Sequence, residues 1–135
     1  MMRKLLAVAI AVNAGAAVPW WFLLWLHPAS RRWFLPASMP DVALLSFALG
    51  DVLLYITLGL LAAYGIWHRT PWALAVLFIH TGACCYASLF TLHQWFLTGQ
   101  AALSALAMLP SLLLLPYSCW FLSTNECDSS RPAGE

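Results

Sequence analysis

Residues 71–97 read PWALAVLFIHTGACCYASLFTLHQWFL, and no Asp, Glu, Lys or Arg interrupts them. A helix rises about 1.5 Å per residue, so about 20 apolar residues cross the roughly 30 Å hydrocarbon layer of a bilayer. This stretch exceeds that length, and three others match it, at 5–26, 41–67 and 101–122. The expected fold class is therefore an all-α membrane protein, a four-transmembrane-helix antiparallel bundle over residues 1–124, with a disordered polar tail over 125–135.

The rest of the composition agrees. The chain has 135 residues, 63% hydrophobic and 8% charged, with a mean hydropathy of +0.81. A soluble domain averages about 45–50% apolar and about 25% charged residues, so this chain lacks the polar surface to meet water. A net charge of +1 gives no electrostatic basis for binding nucleic acid. Of the four cysteines, Cys84, Cys85 and Cys119 lie in apolar stretches and Cys127 in the tail, with no C-x-x-C and no zinc-ligand spacing. Neither a disulfide framework nor a metal site is expected.

Helix boundaries follow from capping chemistry. Asp41 after Pro40 suits an N-cap, and Thr70 before Pro71 places a cap and a first-turn proline at the start of the third span. The second and third spans exceed the bilayer thickness, which calls for tilt or overhang. The turns at 68–70 and 98–100 are short, so the last three helices pack as antiparallel neighbours. The first connection, 28–40, is longer. It repeats Pro-Ala-Ser at 28–30 and 36–38 around Arg31-Arg32-Trp33-Phe34-Leu35, a composition that suits either a segment lying on the interface or an ordinary anchored loop. Met1 to Ala17 also carries the marks of a secretory signal, but the apolar run continues to Leu26 and favours an uncleaved helix.

Short-loop charges set orientation. Arg3, Lys4, Arg69 and Arg131 fall on one side and Arg31 and Arg32 on the other, so both termini are expected in the cytoplasm of a plasma (inner) membrane. The eight tryptophans fall toward span ends, as interfacial anchors do.

The residues that a bilayer should exclude lie at one depth. Asp51 follows Asp41 by ten positions, about 15 Å of rise, and His80 follows Pro71 by nine, about 14 Å. Asn13 and Ser111 lie comparably far into the first and fourth spans. A carboxylate at mid-membrane costs roughly 2.5–3.5 kcal/mol on insertion scales unless it is protonated or paired. His80 is the one ionisable base at that depth, so an Asp51–His80 pair sharing a proton is expected, with Tyr55 at i+4 from Asp51 as a further donor. In the third helix His80, Cys84, Ser88 and Thr91 share one stripe that should face inward. Pro110 and Pro116 remove the usual partners of the Leu106 and Leu112 carbonyls, offering acceptors to a neighbour or ligand. The candidate ligand-binding or proton-linked set is thus Asp51, His80, Tyr55, Asn13, Ser111 and Cys84. The competing reading is that these are interhelical hydrogen bonds holding the bundle, worth about 0.6 kcal/mol each.

No cofactor is expected. His80 and His93 lie 13 residues apart on one helix, about 20 Å along its axis, too far to hold one haem. Gly82-Ala83-Cys84-Cys85 is similar to the cysteine pair of mercury transporters, but lies in the third helix where those have it in the first. Small multidrug exporters depend on a first-helix glutamate where this chain has Asn13. Trp67-x-Arg69-Thr70-Pro71, Asp51 thirteen residues before Tyr64, and Pro110 with Pro116 loosely resemble the emopamil-binding and sigma-2 receptor family, four-helix proteins with acidic residues in a sterol-sized intramembrane pocket. That resemblance implies Asp51 as the second-helix acid. The family's first-helix acid and its long last connection are absent here.

No catalytic constellation is present, and no soluble catalytic domain is expected. The leading functional expectation is a non-catalytic binding or accessory unit in the lipid bilayer, within a larger membrane complex or as a homodimer. One alternative is a pocket for a hydrophobic small ligand: a sterol-like lipid, a quinone or an amine. The other is a proton-coupled carrier acting as a dimer, since four helices alone rarely enclose a pathway.

Overall fold

The computed structural model describes the backbone of residues 1–129 and the side chains of 1–124. Four helices are long and apolar enough to cross a membrane. They are α1 (Met2–Leu26), α2 (Asp41–His68), α3 (Ala73–Thr98) and α4 (Ala102–Ser129), whose apolar span ends at Thr124. These bounds agree with the sequence reading within a few residues. Of the tail expected over 125–135, the backbone to Ser129 continues α4, and 130–135 lie outside the described residues.

The helices form a ring in which α1 packs on α2, α2 on α3, α3 on α4, and α4 more thinly back on α1. The fully buried residues are Ile10, Leu24, Ile66, Leu77 and Leu115 among the large apolar ones, with His80, Cys84, Ser88, Ser111 and Ser118 at their level of burial. A polar centre inside an apolar shell is the pattern a bilayer demands, because lipid offers no hydrogen bonds.

Two caps differ from expectation. Pro40, extended at φ −72° and ψ 149°, takes the N-cap position, and Asp41 becomes the first helical residue. At the third helix, Pro71 and Trp72 form a turn in which the Ala73 amide donates to the Thr70 carbonyl, so α3 begins at Ala73. α2 ends with Arg69 in the left-handed region, φ 59°, the Thr70 amide donating back to the Gly65 carbonyl at 3.0 Å. This pairing is the Schellman pattern, with an arginine where glycine is usual.

The first connection is strapped to the bundle. Pro28–Trp33 forms a short 3-10 helix. Arg31 turns back so that its Nε donates to the Leu24 carbonyl at 3.0 Å while its Nη1 pairs with Asp41 at 3.1 Å. The Ser104 hydroxyl donates to the Phe34 carbonyl at 2.6 Å, and the Ala37 amide to Gln100 Oε1 at 2.7 Å. Trp20, Trp21 and Phe34 pack edge to face beneath this strap. The loop is therefore an ordered cover on the end of the bundle where α1 ends and α2 and α4 begin.

The unforeseen feature is inside α2. From Asp51 to Thr57 the helix winds as a π-helix, and the Leu58 amide reaches back five residues to the Leu53 carbonyl. The Thr57 hydroxyl spans the same five-residue interval, donating to the Val52 carbonyl at 2.7 Å. Such segments are rare and concentrate at functional positions.

Gly59, just after this segment, lets α2 approach α1 and α3 closely. A Cβ there would come within 2.6 Å of the Ala14 Cβ and 3.0 Å of the His80 ring. The Ala14 carbon is fixed to backbone and cannot yield. Gly59→Ala should therefore destabilise the bundle by about 1–3 kcal/mol, as overpacking does. Gly82→Ala, where nothing lies within 4 Å, should instead be neutral or stabilise by up to about 1 kcal/mol. Unfolding in mixed detergent micelles, followed by circular dichroism, distinguishes the two.

Candidate functional site

The six candidate residues all project from the inward stripes of their helices, and five of them form one contact group. On α1 and α4, Asn13 Nδ2 donates to Ser111 Oγ at 3.1 Å, and the hydroxyl of Ser111 lies 3.2 Å from Asn13 Oδ1. The Tyr55 hydroxyl of α2 meets the same Ser111 oxygen at 2.6 Å. Three helices are thus joined at one hydroxyl, across the seam where α1 and α4 pack most thinly. The depth estimate from sequence located Asn13 and Ser111 correctly relative to each other.

The second part of the group is His80. Its Nδ1 lies 2.9 Å from the Leu54 carbonyl oxygen. A carbonyl only accepts, so the proton sits on Nδ1. The imidazole is fully buried, with its Cε1–Nε2 edge against Gly59 and the Tyr55 ring edge-on at 5.7 Å. Cys84, one turn on, places its sulfur 3.6–3.8 Å from the ring nitrogens. Ser88 and Thr91 continue the stripe, donating to the Cys84 and Ser88 carbonyls at 2.7 and 2.9 Å. His80, Cys84 and Ser88 are buried and Thr91 is half-buried, so the inward stripe of α3 is as expected.

The expected Asp51–His80 pair does not form. Asp51 Oδ2 accepts from the indole Nε1 of Trp21 at 3.1 Å, and His80 is committed to the Leu54 carbonyl. No hydrogen bond or ion pair joins the two among the described residues. The physical reason is the π segment. Its carbonyls are spaced differently from those of an α-helix, and one of them serves the imidazole before any carboxylate can. Asp51 lies one turn nearer the start of α2 than Tyr55, and it is Tyr55 whose ring packs on that of His80.

The backbone acceptor that a buried side chain uses lies in α2. α4 runs unbroken through Pro110 and Pro116, and no described side chain donates to the Leu106 or Leu112 carbonyl. The carbonyl in use is that of Leu54, and no residue type announces a π-helix. Trp21 was read as an interfacial anchor, yet it is 7% exposed and serves as an internal donor. Thr81 and Cys119, joined across α3 and α4 at 3.2 Å, were likewise missed. Gly59 was legible in principle, as the small residue one turn past Tyr55 on the same face.

Two hollows open to the outside of the bundle. One, about 460 Å³, lies between side chains of α3 alone around His93 and Phe96. The other, about 210 Å³, is a groove between the first turns of α1 and the last turns of α2. Neither touches Asp51, Tyr55 or His80. No group of three or more metal-ligating side chains occurs among the described residues.

Compared with protein-family models, with curated proteins and with solved structures, the chain finds no match in any of the three. The class that fold and site define is a small four-helix membrane bundle with a hydrogen-bonded polar centre.

The Tyr55–Ser111–Asn13 junction makes a quantitative prediction. A double-mutant cycle with Tyr55→Phe and Ser111→Ala should give a coupling of about 0.6 kcal/mol, and no more than about 1.7 kcal/mol, as for other intramembrane hydrogen bonds. Reversible unfolding in bicelles measures it, and additive effects would mean that the bond is not made.

Proposed function

We propose that the chain is a non-catalytic binding or accessory unit of a plasma (inner) membrane, whose polar centre fixes the bundle and whose outer faces bind other membrane components. The observation that carries this reading is the contrast between centre and periphery. His80, Ser88 and Ser111 are wholly buried and hydrogen-bonded, whereas only 17% of the apolar window of α2 is buried within the chain. Val52, Leu53, Leu60 and Leu61 of α2 are 44–53% exposed, a face available to lipid or to another helix. Packing of small and apolar side chains, more than polar bonds, drives helix association in lipid.

One observation favours a second reading. Asp51 is a half-buried carboxylate within a membrane span, and among the described side chains it is Trp21 that donates to it. Intramembrane acids are by default functional candidates. A hydrophobic amine, or a quinone or sterol-like lipid with a polar head, would use Asp51 as counter-charge or acceptor, entering beside Trp21. The proton-coupled dimeric carrier needs a relay through Asp51 and His80, and the partners these two residues take give it no support.

Affinity purification in mild detergent with mass spectrometry should return a second membrane protein, or a second copy, in fixed ratio. Recovery of the chain as a monomer with bulk lipid alone contradicts the accessory reading. Under the second reading, Asp51→Asn abolishes binding of a long-chain tertiary amine while leaving thermal unfolding unchanged. The proposed topology has both termini in the cytoplasm. A reporter active only in the cytoplasm should therefore function at the C-terminus and fail when inserted at 36–38.

A further inference from the structure

The groove between α1 and α2 shares no residue with the polar centre. Its floor is Ala7, Ala11 and Ala63, small side chains that hold the two helices' large residues apart, and its walls are Val8, Leu60 and Tyr64. It extends from the inner ends of the helices to Leu60, eight residues before His68. That is about 12 Å of rise, reaching from the headgroup level into one leaflet. The whole length is apolar and open sideways.

The mouth has a different chemistry. Lys4 lies one turn before Val8 on the same face of α1, and its Nζ sits 5.0 Å from the centre of the Trp67 ring, which lines the groove. A cation over an indole at the interface is held in place without being neutralised. The His68 ring lies against Tyr64, tilted 43° at 4.4 Å between centroids, also at the mouth. Arg69 follows immediately, in the left-handed conformation and exposed. Among residues 1–124 the carboxylates are Asp41 and Asp51, both in the outer half of α2, so none of the described side chains offers Lys4 an acid.

From this juxtaposition we infer that the groove is a binding site for an anionic phospholipid of the leaflet on the side of the chain termini. One acyl chain lies over the alanine floor, and the phosphodiester sits between Lys4 and Arg69 above Trp67. An apolar slot of single-leaflet depth ending in Lys4 and Arg69, with no carboxylate beside them among the described side chains, matches one amphiphile with a negative head. A partner helix would need more than about 12 Å of groove to bury a useful seam, and a free phosphate would leave the slot empty.

The test is native mass spectrometry of the full-length chain released from mixed phosphatidylglycerol–phosphatidylcholine micelles. Wild type should retain one phosphatidylglycerol in preference to phosphatidylcholine. Lys4→Gln should weaken that retention by about fivefold, the effect of one basic residue at a membrane surface, and Lys4→Arg should restore it. Val8→Trp, at a position 50% exposed, blocks the slot with every charge in place and should weaken retention as much as Lys4→Gln. Dihexanoyl phosphatidylglycerol, whose chains are too short to fill the groove, should be held more weakly than the dioleoyl form. Equal retention of the two headgroups, or full retention by either Lys4→Gln or Val8→Trp, would overturn the site. Helicity and thermal unfolding of each variant, expected unchanged at these surface positions, exclude misfolding as the cause.

Discussion

The hydrogen bond from His80 Nδ1 to the Leu54 carbonyl is where the chain resolves the main conflict in its sequence. A wholly buried imidazole in a membrane span needs a partner, and α2 supplies a backbone oxygen by winding as a π-helix from Asp51 to Thr57. Gly59 then lets α2 come within contact of both Ala14 and the imidazole. Once the ring is fixed, Tyr55 packs on its edge and directs its hydroxyl to Ser111, where Asn13 also binds. Four helices are therefore registered to one another by a few polar contacts.

That arrangement separates specificity from cohesion. Interhelical hydrogen bonds in lipid are individually small, about 0.6 kcal/mol, so these contacts choose the register and depth of each helix more than they hold the bundle together. Cohesion comes from close packing of small residues: Ala7, Ala14, Gly59, Ala62, Ala63, Ala73 and Ala105 are all buried. The strap over 28–40, with Arg31 on the Leu24 carbonyl and Ser104 on Phe34, fixes the end of the bundle where the connection is longest.

How much was legible in the sequence follows from the same physics. Span limits were readable because bilayer thickness imposes a length and lipid excludes charge. The meeting of Asn13 and Ser111 was readable because depth along a straight helix is a count of residues, and because polar groups in lipid seek each other; Tyr55, expected as a donor beside Asp51, turns its hydroxyl to Ser111 instead. The inward stripe of α3 was readable from helical periodicity. The Asp51–His80 pair was not a sound deduction, since it assumed that a side chain must satisfy a side chain. In α2 the backbone itself competes, and a departure from α geometry depends on packing against α1 and α3 that no local residue pattern encodes. The role of Trp21 escaped for a related reason: an indole near a span end is anchored outward or turned inward according to what its neighbour in space requires, and here that neighbour is Asp51.

The account therefore rests on an imidazole held by backbone, with its proton on Nδ1 and no carboxylate partner. Magic-angle-spinning NMR of the chain in lipid bilayers, labelled with ¹⁵N-histidine and assigned by a His80→Gln variant, reads that state directly. The expected result is a protonated Nδ1 and an unprotonated Nε2, with both His80 signals unmoved by Asp51→Asn. A ring protonated on Nε2 alone, or on both nitrogens with signals that shift when Asp51 is replaced, would restore the acid–base pair and contradict the π-helical account of the polar centre.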